Sequence, residues 1–325
     1  MLVDKWGRVL EGLRVSVTSL CNYSCIYCHR EGPANKGEGL NPDEYRAVAS
    51  VATSLGIARF KLTGGEPLFR GDVVDVIKAF SEAKPVDLSM TTNGFYLEEL
   101  AQRLAEAGLR RVNVNIPSLS RDRYKYVSKV DGLDKVLKGL RAALNAGLKP
   151  ITINVVLLKS INDAEFADFI EFASQNGYRL RFIELEPISV PKPVFDKLYA
   201  SLDAVMRYLE GVAVHKYIRK LHNRPVYVLD TGTEVEIVRW THNTAFCMNC
   251  SRVRLSADGV LLPCIMAADG VDLKPFLRPR INVEKLRAAF IAVNEMRSPY
   301  NLLLEKCRGL SASKGSSLVP SANQL

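Results

Sequence analysis

Between residues 13 and 185 short apolar runs alternate with longer helical ones. The short runs at 13–17, 60–63, 87–91, 111–116, 151–158 and 180–185 are rich in Val, Ile, Leu or Thr and have the length of strands buried on both faces. Helices are predicted between them, over 73–80, 97–107, 133–146 and 164–175, after one that opens at Asn41-Pro42-Asp43-Glu44. There Asn41 can cap, Pro42 suits the first turn and Glu44 completes a capping box. Gly108, Gly147 and Gly177 stand just past the last three helices, as helix stops should. Successive βα units predict an α/β fold, a partial (βα)6 TIM-like barrel, with a doubly wound sheet as the alternative.

The polar and glycine-rich features fall where these strands end. Cys21, Cys25 and Cys28 follow the first, Gly64-Gly65-Glu66-Pro67 the second and Thr92-Asn93-Gly94 the third. Asn115 ends the fourth, Lys159 follows the fifth, and Glu184 and Glu186 close the sixth. In a βα barrel that rim is where active sites are built. Past Pro187 the period changes: a helix over 195–209, a hairpin of 226–229 with 234–238 around Asp230-Thr231-Gly232, then a helix near 283–293. The division expected is 1–190 for the barrel and 191–310 for a smaller α+β region, with 311–325 a serine-rich mobile tail.

The composition, 47% hydrophobic and 24% charged over 325 residues, excludes a wholly disordered or fibrous chain. Lys plus Arg outnumber Asp plus Glu by 44 to 35, and the formal charge of +9 favours an anionic partner. No run reaches the roughly 18 apolar residues of a membrane span. Residues 1–8 lack a signal-like apolar core, so a cytoplasmic protein is expected.

The cysteines carry most of the chemistry. Cys21, Cys25 and Cys28 form one group, Cys247, Cys250 and Cys264 another, and Cys307, read as a buried free thiol, is left over. An odd number in a chain of this kind argues against a disulfide framework and for two metal-binding groups. A [4Fe–4S] cluster normally takes four thiolates, so three leave one iron open to an outside ligand. Zinc is the alternative for the first group, but His29 directly adjoins Cys28, an awkward geometry for a tetrahedral site. For the second, His242 makes zinc and iron–sulfur equally consistent with the spacing. Arg252 and Arg254 follow Cys250 at alternate positions, which on a strand puts both on one face, as an anionic substrate would need.

The first cysteine group with Tyr27 before its last member, followed by Gly64-Gly65-Glu66-Pro67, resembles the radical S-adenosylmethionine (SAM) superfamily. The resemblance implies that SAM chelates the open iron, that the backbone at Gly64, Gly65 and Glu66 receives its amino group, and that Tyr27 contacts it. The run from Phe246 to Val260, then Cys264, resembles the second-cluster motif of the molybdenum cofactor biosynthesis protein A family, the GTP 3′,8-cyclases. Residues 13–18, 63–67 and 91–94 also fit, and the likeness extends over about residues 4–307.

What this implies is an enzyme with two [4Fe–4S] clusters and SAM, acting on GTP seated beside the second cluster. Cleavage of SAM to a 5′-deoxyadenosyl radical would be followed by removal of the ribose C3′ hydrogen and attack on guanine C8. Arg14, Lys61, Thr91, Arg252 and Arg254 stand at positions that contact GTP in the family; Arg181 is a further candidate, and Asn115 stands at a SAM contact. The implied partners are a flavodoxin- or ferredoxin-like one-electron donor and a downstream pyranopterin-forming enzyme. A homodimer is allowed, and neither nucleic acid nor membrane is expected. The sequence also departs from the family. Asn115 replaces a serine, Thr152 a lysine that contacts GTP, and Glu186 a methionine; the chain ends Asn323-Gln324-Leu325 where a Gly-Gly tail is common. The rival readings are radical chemistry on a peptide or RNA, and a non-catalytic iron–sulfur or zinc protein.

Overall fold

The computed structural model describes residues 1–29, 39–240 and 243–299, so His242, Cys307 and the segment 311–325 lie outside the described residues. The first half alternates as its pattern predicts. Strands β1 (Gly12–Ser16), β2 (Arg59–Thr63), β3 (Asp87–Thr92), β4 (Arg111–Asn115), β5 (Thr152–Val156) and β6 (Arg179–Ile183) pair in parallel, each with the next. Between them run α1 (Pro42–Ser54), α2 (Val73–Glu82), α3 (Leu97–Glu106), α4 (Arg121–Ser128), α5 (Leu133–Asn145) and, before β6, α6 (Phe166–Asn176). Asn41 and Glu44 form the reciprocal capping box at the start of α1. Gly108, Gly147 and Gly177 all take positive φ after their helices.

The second half lengthens the same sheet at both edges. It contributes α7 (Lys192–Leu198), α8 (Asp203–Val212), β7 (His215–Arg219), β8 (Arg224–Val228) and β9 (Glu234–Val238). Then follow α9 (Thr244–Met248), β10 (Arg252–Leu255), β11 (Val260–Leu262), β12 (Val271–Asp272), α10 (Lys274–Leu277) and α11 (Val283–Glu295). Strand order among the described residues is β12-β11-β10-β1-β2-β3-β4-β5-β6-β9-β8-β7. β10 lies parallel to β1 and β9 parallel to β6, so late strands flank the six early ones in an open, partial barrel.

One expected element is corrected. The helix over 195–209 is broken into α7 and α8, because the chain leaves the helix at Tyr199 to bridge Leu158, while the Lys159 N–H donates to Leu198 O at 2.8 Å. The Tyr199 hydroxyl then reaches Glu184 at 2.8 Å, which a continuing helix would forbid.

Period-two alternation divides each barrel strand between two environments. Leu13, Phe60, Met90, Val112, Ile153 and Phe182 are buried in one core with residues of the helices. The alternate residues, Arg14, Lys61, Thr91, Asn113, Asn154 and Arg181, line the interior of the barrel. No helix among the described residues is long and apolar enough to cross a membrane.

Candidate active site

The loop after β1 carries Cys21, Cys25 and Cys28 and is fastened on two sides. Ser24 and Ile26 donate backbone N–H bonds to Ser128 and Val127 at the end of α4, at 3.2 and 3.0 Å. From β2, Gly65 N–H donates to Thr18 O and Glu66 N–H to Leu20 O, both at 2.8 Å. This approach explains the double glycine. A Cβ on Gly64 would stand 2.2 Å from Thr18 O and one on Gly65 2.0 Å from Leu20 O, and Gly64 also has φ +142°.

The Glu66 side chain is turned inward and buried. It accepts from Leu68 N–H (3.0 Å), Asn93 N–H (2.7 Å) and the Thr92 hydroxyl (2.6 Å), so it ties the loops after β2 and β3 together. Burial pushes its pKa up to about 7 against the pull of those donors. Glu66 borders the cavity described below, as do Gly64, Gly65 and Tyr27. Burial, then the neighbouring Cys28 and Cys21, pushes Cys25 up to about 12. Burial raises Cys21 as well. Buried thiols that resist ionisation suit a bound iron–sulfur core, whose positive charge favours the thiolates. Among the described residues no three His, Cys, Asp or Glu side chains are gathered to hold one metal ion.

In the second loop Asn243 caps α9 by accepting from Phe246 N–H at 3.1 Å, and α9 presents Cys247. The Cys250 N–H returns to Cys247 O at 3.0 Å, and Cys264 follows β11. Burial, then Cys250, raises the Cys264 pKa, with Arg254 opposing. Although over two hundred residues separate the groups, Cys21, Cys25, Cys28, Cys247, Cys250 and Cys264 all border one cavity of about 900 Å³. That lies near the top of the usual range for ligand pockets.

Strand register sets the polar wall of this cavity. Arg254 pairs with Arg14 and Arg14 with Lys61 across β10, β1 and β2, while Arg252 sits beside Gly12. Another rung runs Asn115, Asn154, Arg181, Glu236 across β4, β5, β6 and β9. Its side chains are joined: Asn154 donates to Asn115 (2.9 Å), and Arg181 donates to Asn154 (3.0 Å) and to Glu236 (2.6 Å). Glu236 also pairs with Arg219 at 3.1 Å and Arg224 at 3.2 Å. Burial disfavours its charge, yet Arg181, Arg224 and Arg219 outweigh that and hold its carboxyl well below the usual range.

The cations feel the opposite strain. Burial, then Arg111, Arg181, Arg252 and Arg14, holds Lys61 far below an ordinary lysine. Burial, then Arg14, with Cys250 opposing and Arg254 and Arg181 adding, brings Arg252 down to about 10. Thr91 and Asn115 border the same cavity; Thr152 is buried on β5. Arg219, Arg224 and His222 were not singled out from the sequence. They come from the edge hairpin and its turn, which carry no motif and reach the cavity wall only through strand pairing. His222 stacks on Phe246 with ring centroids 3.9 Å apart, and burial, then Arg252, Arg224 and Arg254, lowers its pKa.

Comparison with known proteins places this geometry. The family model of the radical SAM superfamily matches residues 15–173, and that of Molybdenum Cofactor Synthesis C matches 178–303. A probable GTP 3′,8-cyclase of Thermococcus kodakarensis is 41% identical over 309 residues, spanning 92% of this chain and 99% of its own. One from Pyrococcus abyssi is 40% identical over 309 residues, with 92% and 99% covered. One from Saccharolobus islandicus is 38% identical over 304 residues, with 92% and 98% covered. Among solved structures, Streptococcus suis SuiB bound to S-adenosylmethionine superposes with a TM-score of 0.63 at 15% identity, covering 84% of this chain and 64% of that one, which shows the fold alone.

Two outcomes follow from the geometry. Gly65→Ala must push the first cysteine loop away, and should cost about 1–3 kcal/mol in the urea midpoint of the metal-free protein; an unchanged midpoint would mean the approach is not tight. Glu236→Gln should cost about 3 kcal/mol at pH 7, because three arginines lose their buried counter-charge. Since the folded state depresses this carboxyl, its contribution is complete above the ordinary value of 4.5 and lost as pH falls below it. Melting curves of parent and variant should therefore converge in acid, and a gap constant with pH would contradict this.

Proposed function

The chain belongs to the GTP 3′,8-cyclase family of the radical SAM superfamily, and we propose that it converts GTP to (8S)-3′,8-cyclo-7,8-dihydroguanosine 5′-triphosphate in molybdenum cofactor biosynthesis. The observation that carries this reading is the single cavity with a cysteine triad at each end and a row of cations along its wall. A first [4Fe–4S] cluster belongs at Cys21, Cys25 and Cys28 and a second at Cys247, Cys250 and Cys264. When bound, the first cluster and SAM supply reductive cleavage of the sulfonium and removal of the ribose C3′ hydrogen.

The protein's own part is holding and shielding. The Gly65 and Glu66 N–H groups are already given to Thr18 and Leu20, which favours the loop as an acceptor, through its carbonyls, of the SAM ammonium. Tyr27 borders the cofactor end, and Asn115, whose Oδ1 accepts from Asn154, contacts SAM through its side-chain amide. Arg14, Lys61, Arg252 and Arg254 take the triphosphate, with Thr91 and the remaining donors of Arg181 completing its surroundings. An anion beside Lys61 favours its charged form. Arg219, which shares a smaller pocket with Thr152, brings further positive charge to the region where Thr152 stands in place of the family's lysine. A cavity walled by half-buried cations favours a small polyanion over a peptide or RNA. Enclosure excludes water from a reactive carbon centre and keeps its reaction selective. The reading also calls for a flavodoxin- or ferredoxin-like donor and for a pyranopterin-forming enzyme to take the product, all in the cytoplasm.

The decisive assay uses anaerobically reconstituted protein with SAM, dithionite and GTP deuterated at C3′. Deuterium should arrive in 5′-deoxyadenosine, and only when GTP is present; 5′-deoxyadenosine formed without deuterium would discard GTP as the substrate. Arg254→Ala should weaken GTP about tenfold or more in calorimetry, as loss of one charge-assisted contact of about 1.5–3 kcal/mol requires. Its iron content should be unchanged, and an unaltered GTP affinity would remove Arg254 from the triphosphate site.

A further inference from the structure

The second cysteine loop is held through its carbonyls by side chains from both ends of the described chain, which border the same cavity. Arg8 Nη1 donates to Cys247 O at 2.9 Å, and Arg297 Nη2 donates to Cys250 O. The two guanidiniums share one carboxylate: Asp4 Oδ2 accepts from Arg8 Nε at 2.7 Å and lies 3.1 Å from Arg297 Nη1. Asp4, Arg8 and Arg297 are 4%, 8% and 2% exposed, so this is a charged group placed inside the protein. Its geometry is over-determined. Asp4 Oδ1 accepts from the Trp6 and Arg8 N–H groups at 3.0 and 2.9 Å, Trp6 Nε1 donates to Arg297 O at 3.0 Å, and Arg8 Nη2 donates to Ser298 O at 2.7 Å. Nothing in the proposed reaction uses these residues.

Two buried cations with one buried anion leave an excess of positive charge at the backbone carbonyls of Cys247 and Cys250. A cubane cluster on three thiolates is an anion and gains a further negative charge on reduction. Positive charge held close to it in a medium of low dielectric therefore favours its reduced form. The first triad has a different backing: its loop is held by the backbone of α4 and the Gly64-Gly65 turn, with the buried carboxyl of Glu66 nearby, and these bonds bring no arginine with them.

We propose that Asp4, Arg8 and Arg297 are positioning residues for the second cluster, orienting its cysteine loop through two carbonyls and raising its reduction potential through their net charge. This rests on the reading of Cys247, Cys250 and Cys264 as cluster ligands. The test separates the two. Full-length protein with Cys21, Cys25 and Cys28 changed to Ala is reconstituted anaerobically and titrated electrochemically, followed by electron paramagnetic resonance. Absence of any iron–sulfur signal there would overturn the cluster reading itself, and the inference with it.

With the signal present, Asp4→Asn, which adds a net positive charge, should move the midpoint potential up. Arg297→Gln, which removes one, should move it down, and Arg297→Lys should leave it near the parent value. A bracing role without an electrostatic one predicts loss of iron or of melting temperature in all three variants, with no reversal of sign. Midpoints that stay fixed, or that move the same way in Asp4→Asn and Arg297→Gln, would overturn the electrostatic role. Should Arg297→Gln not retain iron, Asp4→Asn decides alone: a raised midpoint supports the proposal and an unchanged or lowered one contradicts it.

Discussion

The constraint on which the site depends is positive charge kept inside the barrel. Alternation along parallel strands gives one face to the helices and the other to the interior, and on that interior face Arg254, Arg14 and Lys61 stand side by side. Crowding cations there is unfavourable: burial and neighbouring arginines lower the proton affinity of Lys61 and Arg252. Glu236 compensates the neighbouring Arg181, Arg219 and Arg224 by holding all three at once, and an entering anion would stabilise the row further. The apolar face contributes the stability that this arrangement spends. Phe60, Phe182 and their neighbours pack against the helices with no interruption.

The two cysteine loops meet across the cavity but are built on different principles. The first is held by backbone: bonds to the end of α4 and to the Gly64-Gly65 turn fix it wherever no Cβ intrudes. The second is held by long side chains, with Arg8 and Arg297 reaching its carbonyls from residues far away in sequence. Backbone stitching yields a rigid cradle for a cofactor that must be presented in one orientation. Side-chain bracing brings charge with it, and so ties geometry to electrostatics.

That difference also decides what could be read from the sequence. The cysteine spacings, Gly64-Gly65 and the strand-helix alternation are local, and the strands begin and end within about two residues of their predicted bounds. Asn41 with Glu44 and the glycine stops were legible for the same reason. Arg252 and Arg254 on one strand were legible from alternation alone. The break between α7 and α8 was not, because a bridge to Leu158 ends the helix. Nor were Arg219, Arg224, Arg8 and Arg297, ordinary surface cations by composition until pairing brings β7 and β8 beside β9 and the fold brings residues 8 and 297 to the carbonyls of Cys247 and Cys250. His222 belongs with them, as its place on Phe246 follows from the turn between β7 and β8.

The central claim is that one cavity holds SAM at one end and GTP at the other. Its most direct test is electron paramagnetic resonance of two reduced variants, each lacking one cysteine triad. SAM should perturb the signal of the protein retaining Cys21, Cys25 and Cys28, and GTP that of the protein retaining Cys247, Cys250 and Cys264. A signal from the second triad that GTP leaves untouched, while GTP still binds, would contradict the account.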